Sequence, residues 1–364
     1  MTTPAGTEIT FRVRPYRAPR WLRGPHIQTI GGKFLRPDPG IPLRRERLEL
    51  PDGDFLDLDF APAGSVAHDP EAPVVLVLHG LEGSARRRYM LLTYRELLAR
   101  GLRPVGLNFR ACSGEPNRLP RLYHSGDTDD LRFVVEHLAD RFNGAPLGAI
   151  GFSLGGNVLL KYLGEEGDDA GRRLRAAVAI SVPFDLTAGA ATLERGLMGR
   201  IYTEYFLRNL RKKVRAKARL LEGLIDVRAT LRARTLRAFD DVATAPLHGF
   251  ADSADYYRRS SSAPYLERIR IATLLLQAED DPFQPPEAIP RDAIARNPHI
   301  VAGFTERGGH VGFITWSDDP GKRGLRFWAE EEAARFLAAH LLPAPDARRA
   351  DRRPGVEPEP AESR

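Results

Sequence analysis

One cysteine, Cys112, occurs in 364 residues. A disulfide within the chain is therefore excluded, as are the cysteine-cluster metal sites that need several thiols. Such low cysteine use suits a reducing compartment. No run approaches the ~18 apolar residues that a membrane span requires. The amino-terminal stretch MTTPAGTEITFRVRPYRAPRW has no apolar h-region, so no signal peptide is expected. The default expectation is a soluble cytoplasmic protein. Apolar residues make up 42% and charged residues 28%, which excludes wholesale disorder and a collagen-like chain. At about 150 residues per domain, the length allows two domains or one large one.

Charge of one sign is not in great excess, at 54 Lys+Arg against 48 Asp+Glu. The net +6 is nevertheless uneven, because residues 208–237 hold 11 basic and 2 acidic side chains, leaving the rest of the chain about −3. Basicity is thus a property of one segment. Leu207, Leu210, Val214, Leu221 and Leu224 recur in and beside it at helical spacing. A cap helix with one packed and one solvated face explains this pattern. The sharper alternative is a basic interfacial helix in peripheral contact with anionic membrane. No nucleic-acid motif accompanies the charge, and no nucleic acid is expected as a partner.

Residues 1–40 are rich in Pro, Arg and Gly and read as an aperiodic surface segment. Arg44 to Leu50 and Phe55 to Phe60 alternate around PDGD and predict a β-hairpin. The run APVVLVLHG then predicts a strand buried on both faces. Helices over Arg87–Arg100, Asp127–Phe142 and Gly155–Leu163 alternate with strands over Arg103–Phe109, PLGAIGF and Ala176–Val182. The alternation stops at Pro183 and gives way to helical signals. It resumes with the strand IATLLLQAE, a helix over Glu287–Ala295, a strand over His299–Thr305 and a terminal helix over Arg326–Leu342. This order predicts an α/β fold with a mostly parallel central sheet and helices on both faces. The core is expected over 41–185 and 263–342, a helical cap insertion over 186–262, and a disordered tail over 343–364.

The strongest chemical signal is GFSLGG, the G-x-S-x-G nucleophile elbow between an apolar strand and an apolar helix. A sharp strand-to-helix turn needs small residues at Gly151 and Gly155. It lifts the Ser153 hydroxyl to a helix N-terminus at the carboxyl edge of the sheet. Such a serine needs a base, and the base needs an orienting acid. His310, in ERGGHVGF, follows the last core strand. Asp280 and Asp281, in QAEDDPFQPP, follow the strand before it. The order Ser153, Asp281, His310 suits this fold. The oxyanion would be held by backbone N–H groups of Leu154 and of Leu81 in LHGLEGS. His79 is expected to hydrogen-bond within its loop. Cys112 reads as a packing residue, and Asp127 to Asp130 as the acidic start of a helix. No metal ligand set and no cofactor are implied.

The combination LHGLEGS, NFRACSGEPNRLPRLYHSGDTDD, GFSLGGN, AEDDPF and GGHVGF resembles the YheT-like α/β-hydrolases, a group related to the mammalian ABHD1, ABHD2 and ABHD3 hydrolases. GPHIQTI, with His26, and FDDVATAPLHGFADSADYY also match that family. The resemblance spans about residues 19–340. It implies a triad on Ser153, Asp281 and His310, and singles out Asp281, directly before Pro-Phe, as the acid. Ala111 stands where the family has Gly. The resemblance implies acyl-ester hydrolysis through an acyl-enzyme, and the expected substrates are short- or medium-chain esters or acylglycerols. Acyl transfer by the same intermediate is one alternative. A catalytically silent membrane-associated scaffold is another.

Overall fold

A computed structural model of the chain describes residues 9–62, 71–319, 321 and 323–343. The first eight residues, and the tail expected at 343–364 except for Pro343, lie outside the described residues.

The first helix, α1 (Pro25–Phe34), falls where the sequence read as aperiodic. Its buried positions are Gln28 and Gly32, so the apolar periodicity that usually marks a surface helix is reversed. The expected hairpin follows as β1 (Arg44–Glu49) and β2 (Phe55–Phe60). Its polar residues are not solvated as alternation predicts. Asp57 and Asp59 are buried, because Arg47 pairs with Asp57 at 2.9 Å, while Arg45 and Arg86 hold Asp59 at 2.7 and 3.0 Å. Charge-assisted bonds of this kind offset the desolvation of a buried carboxylate.

The remaining core elements are β3 (Val74–Leu78), α2 (Arg88–Leu98), β4 (Arg103–Asn108), α3 (Asp129–Arg141), β5 (Leu147–Phe152), α4 (Leu154–Glu166) and β6 (Ala176–Ile180). After β6 the chain forms α5 (Leu186–Leu193), α6 (Gly196–Ala216), α7 (Ala218–Leu221), α8 (Val227–Arg232), α9 (Leu236–Phe239), α10 (Ala245–Leu247) and α11 (Ser253–Ser260). It then returns as β7 (Ala272–Ala278), α12 (Arg291–Arg296), β8 (Ile300–Thr305), β9 (Ile314–Ser317), β10 (Gly324–Phe327) and α13 (Trp328–Leu341).

Eight strands form one sheet in the order β1-β2-β4-β3-β5-β6-β7-β8. β2 runs antiparallel to both neighbours, and every other neighbouring pair from β4 to β8 is parallel. Period-two alternation divides each central strand between two cores. Val74, Leu76 and Leu78 pack with α3 and α4 through Leu131, Val135 and Leu159. Val75 and Val77 pack with α2 and α13 through Tyr94, Phe336 and Leu337. Each such side chain contributes roughly 1.5–3 kcal/mol on burial.

Three boundaries differ from expectation for identifiable reasons. α3 begins at Asp129, because Asp127 and Asp130 turn inward to Arg121 and Arg110 at 2.9 and 2.6 Å. The helix expected over Glu287–Ala295 is split by Pro290, which lacks the N–H a helix interior needs, into a 3₁₀ turn and α12. The terminal helix starts two residues late, since β10 pairs with β9 in a separate two-stranded ribbon. In the basic segment, Leu207, Leu210, Val214 and Leu221 are buried with Phe239 and with Leu122 from the β4–α3 loop. Four of the five residues of that apolar stripe are spent on packing, while Leu224 is exposed.

Candidate active site

Ser153 is the single residue between β5 and α4, at φ 52° and ψ −119°. A side chain in this region is strained by roughly 1–3 kcal/mol. Its neighbours hold it there. The Ser153 N–H donates to the Ile180 carbonyl at 2.8 Å, and the Asn157 N–H donates to the Ser153 carbonyl at 3.0 Å. The flanking glycines are required by space. A Cβ on Gly151 would lie 2.6 Å from the Gly156 Cα, and one on Gly155 would lie 2.6 Å from the His79 carbonyl.

The loops leaving β7 and β8 bring the other two sequence-predicted side chains to Ser153. His310 Nε2 lies 2.9 Å from Ser153 Oγ, and His310 Nδ1 lies 2.8 Å from Asp281 Oδ2. The network assigns the proton to Nδ1, leaving Nε2 to accept from the serine hydroxyl. Asp281 is buried, and its Oδ1 accepts the Phe283 N–H at 2.8 Å. The Phe283 ring lies against the imidazole at a centroid distance of 4.2 Å. Asp280 points elsewhere: its Oδ1 accepts the Gly309 N–H at 2.8 Å, and burial pushes its carboxyl above the usual range.

Helix α1 supports this loop, a role the sequence reading of GPHIQTI did not assign. Thr29 Oγ1 accepts the His310 N–H at 2.9 Å. Gln28 donates to the Leu22 carbonyl at 2.7 Å and accepts the Ile314 N–H at 2.9 Å. Arg36 pairs with Glu330 at 2.7 Å and donates to the Val311 carbonyl at 2.6 Å. Two adjacent polar residues inside an otherwise unpatterned segment were the available signal. His26 Nδ1 lies 3.0 Å from the Tyr202 hydroxyl and ties α1 to α6.

In the loop after β3, the Gly80 N–H donates to Tyr89 Oη at 3.0 Å and the Glu82 N–H to Tyr123 Oη at 2.8 Å. Between them, the Leu81 N–H has no protein acceptor among the described residues. The Leu154 N–H opens α4, where a helix terminus favours negative charge. His79 is fully buried. Its Nδ1 donates to the Gly80 carbonyl at 2.7 Å and its Nε2 accepts the Phe109 N–H at 3.3 Å; burial pushes its pKa down to about 3.

Two cavities meet at Ser153. The inner one, of about 120 Å³, is walled by apolar side chains including Leu154, Leu186, Leu193 and Phe239. Asp240 borders it, with the Tyr257 hydroxyl donating at 2.7 Å; burial pushes this carboxyl up to about 6. The outer groove, of about 670 Å³, is lined by α1 and α6 through Ile30, Lys33, Phe34, Ile201 and Tyr205. Cys112 borders neither cavity. Its thiol sits 3.0 Å from Lys213 Nζ, and burial raises its pKa. Among the described residues, no group of three His, Cys, Asp or Glu side chains is placed to hold a metal ion. No helix among them is long and apolar enough to cross a membrane.

Residues 73–315 match the family model described as alpha/beta hydrolase fold. The chain is 40% identical to YheT of Escherichia coli (strain K12), named as a candidate esterase, over 79% of this chain and 84% of that protein. It is 33% identical to the phospholipase ABHD3 of Mus musculus, over 81% of this chain and 72% of that protein. Among solved structures, an esterase of Pyrococcus furiosus superposes with a TM-score of 0.54, over 90% of this chain and 98% of that one. Its 18% identity speaks for the fold alone.

Proposed function

Because the chain belongs to the α/β-hydrolase fold family, in its YheT-like branch, we propose that it hydrolyses carboxylic esters through a Ser153–His310–Asp281 triad. Ser153 Oγ attacks the ester carbonyl while His310 Nε2 takes its proton. Asp281 orients the imidazole through Nδ1–H and stabilises the imidazolium. The Leu81 and Leu154 N–H groups receive the tetrahedral oxyanion. His310 then protonates the departing alkoxide, and water, deprotonated by the same imidazole, releases the acid and restores Ser153. The observation that carries this reading is the imidazole bridging Ser153 Oγ and Asp281 Oδ2 at 2.9 and 2.8 Å.

The small apolar cavity takes the acyl chain, which favours short to medium esters. The alcohol leaves by the outer groove. Residues 186–262 act as the cap that walls both spaces. The esterase and phospholipase names of the relatives agree with an ester or lipid substrate. A fluorophosphonate probe should label the wild type at Ser153, and Ser153→Ala should lose both labelling and hydrolysis of p-nitrophenyl esters. Undiminished labelling of the alanine variant would place the nucleophile elsewhere.

A further inference from the structure

Helix α1 is inside out. Gln28 and Gly32 are its buried residues, while Ile27, Ile30 and Phe34, at i, i+3 and i+7, face solvent with 52, 40 and 66% exposure. A surface helix normally shows the reverse arrangement. A second stripe runs along the first half of α6, where Leu197, Ile201 and Tyr205 repeat at i, i+4 and i+8, and Leu197 is 73% exposed. The two helices meet. His26 bonds Tyr202, and Lys33 Nζ lies 4.3 Å from the centre of the Tyr205 ring. Four of the six apolar side chains also line the outer groove, so both stripes converge on the passage to Ser153.

Cations border this face. Arg23, Lys33, Arg195, Arg200 and Arg208 are exposed, and among the described residues none has a carboxylate within 4.0 Å. The nearby acids are engaged: Glu204 pairs with Arg211 at 2.9 Å and Glu194 with Arg237 at 3.6 Å.

We propose that α1 and the amino-terminal half of α6 form a docking face for an anionic lipid surface. Ile27, Phe34 and Leu197 enter the boundary between head groups and acyl chains, and the bordering cations meet the head groups. Apolar stripes edged by unpaired cations are the composition that binds such an interface. A second copy of this chain would bring the same positive charges face to face, which disfavours self-association. The carboxyl-terminal half of α6 is not the docking element, since its leucines are buried in the cap. Docking in this orientation turns the groove toward the bilayer, so that an ester can pass from lipid to Ser153 without crossing water. That last consequence rests on the ester-hydrolase reading; docking itself does not.

The test uses full-length Ser153→Ala protein and sedimentation with vesicles. Binding is expected with mixed phosphatidylcholine and phosphatidylglycerol, to weaken at high salt, and to fall at least roughly tenfold with phosphatidylcholine alone. The double variant Ile27→Ser/Leu197→Ser, at positions that do not line the groove, should bind roughly tenfold less or weaker still. Lys212→Glu/Arg219→Glu, in the carboxyl-terminal half of α6 and in α7 away from the docking face, should change binding less than about twofold. In the Ser153-containing enzyme, the serine double variant should keep hydrolysis of a soluble butyrate ester and lose that of an ester embedded in the anionic vesicles. The proposal is overturned by absence of binding at low ionic strength, or by binding that survives the serine double variant. It is equally overturned by binding that follows the Lys212/Arg219 reversal, or by a dimer that the serine variant dissolves. Failure to hydrolyse any ester while vesicle binding persists would strike the hydrolase reading and leave docking standing.

Discussion

Thr29 accepts the backbone N–H of His310 at 2.9 Å and donates its own hydroxyl to the Pro25 carbonyl at 2.8 Å. A residue near the start of the chain thereby fixes the loop that carries the imidazole. Thr29→Val keeps the shape and removes the acceptor, leaving a part-buried N–H unpaired. A displacement of the base by a fraction of an ångström should lower kcat roughly 10- to 100-fold with KM little changed. Thr29→Ser should restore most of the rate. A parallel rise in KM, or no rescue by serine, would mean a role other than positioning.

Asp281 and Asp280 are neighbours with separate partners, the His310 ring and the Gly309 N–H. Asp281→Asn should cost on the order of 10⁴ in kcat, because the amide favours the wrong imidazole tautomer. Asp280→Asn should cost stability, by roughly 1–3 kcal/mol, with a much smaller effect on kcat. Steady-state kinetics with urea titrations on both folded variants decides the matter; the reverse ranking shifts the acid by one residue.

On the proposed reading, the inner cavity sets acyl length. Ala190 lines it, and Ala190→Leu intrudes on its volume. Each methylene displaced should weaken transition-state binding by about 0.8 kcal/mol. The kcat/KM for hexanoate relative to acetate esters should therefore fall roughly tenfold or more. An unchanged ratio would mean that the acyl chain lies in the outer groove.

Ala111 has φ 60°, a left-handed conformation in which a Cβ costs roughly 1–2 kcal/mol. Ala111→Gly should stabilise the protein by about 1 kcal/mol, and Ala111→Val should destabilise it, as read from urea midpoints. This is the position where the family resemblance of the sequence leads one to expect glycine.

Three histidines are held neutral by burial. Desolvation pushes His79 and His124 down to about 3 and His248 to about 2, against 6.5 when unfolded. The unfolded chain protonates first, so their contribution to stability is complete above pH about 6.5 and is lost as pH falls toward 3. Each accounts for about 1.4 kcal/mol per pH unit within that window. Asp240 opposes them, because its raised carboxyl is protonated first in the folded state. Burial also raises Asp127, Asp130, Asp280 and Glu330, which act with Asp240, and lowers His137 and His299, which act with the three imidazoles. The unfolded imidazoles take up protons from about pH 6.5, above the ordinary carboxyl range, so the loss comes first as the pH falls. Urea midpoints should fall between pH 7 and pH 5, with proton uptake on unfolding. A flat or rising midpoint contradicts this account.

The strand-helix alternation and the G-x-S-x-G turn were legible in the sequence because each follows from local sterics and period-two burial. Ser153, the pair Asp280 and Asp281, and His310 could be ordered along the chain since each follows a recognisable strand, whereas the choice of Asp281 over Asp280 came from the family resemblance. Helix α1 was hidden for the opposite reason: Gln28 and Gly32 face inward, so the usual apolar signature points to the wrong side. The inward turn of Asp127 and Asp130 was also out of reach, because it depends on Arg121 and Arg110 arriving from the loop before α3. The β9–β10 ribbon has only four residues per strand, too few for alternation to register.

The ion pair between Arg36 and Glu330 joins residues 294 positions apart. It also orders events during synthesis. At roughly 5–20 residues per second, about 15–60 s separate the emergence of its two partners from the ribosome. For most of that interval Thr29, Gln28 and Arg36 hold only nearby carbonyls and lack their partners at residues 310–330, and Ser153 has left the exit tunnel with no imidazole beside it. Under the proposed triad, a nascent chain therefore carries an unarmed serine until nearly its last helix is made. On that reading, a truncated product ending before residue 310 would be a folding casualty with no hydrolytic hazard to the cell.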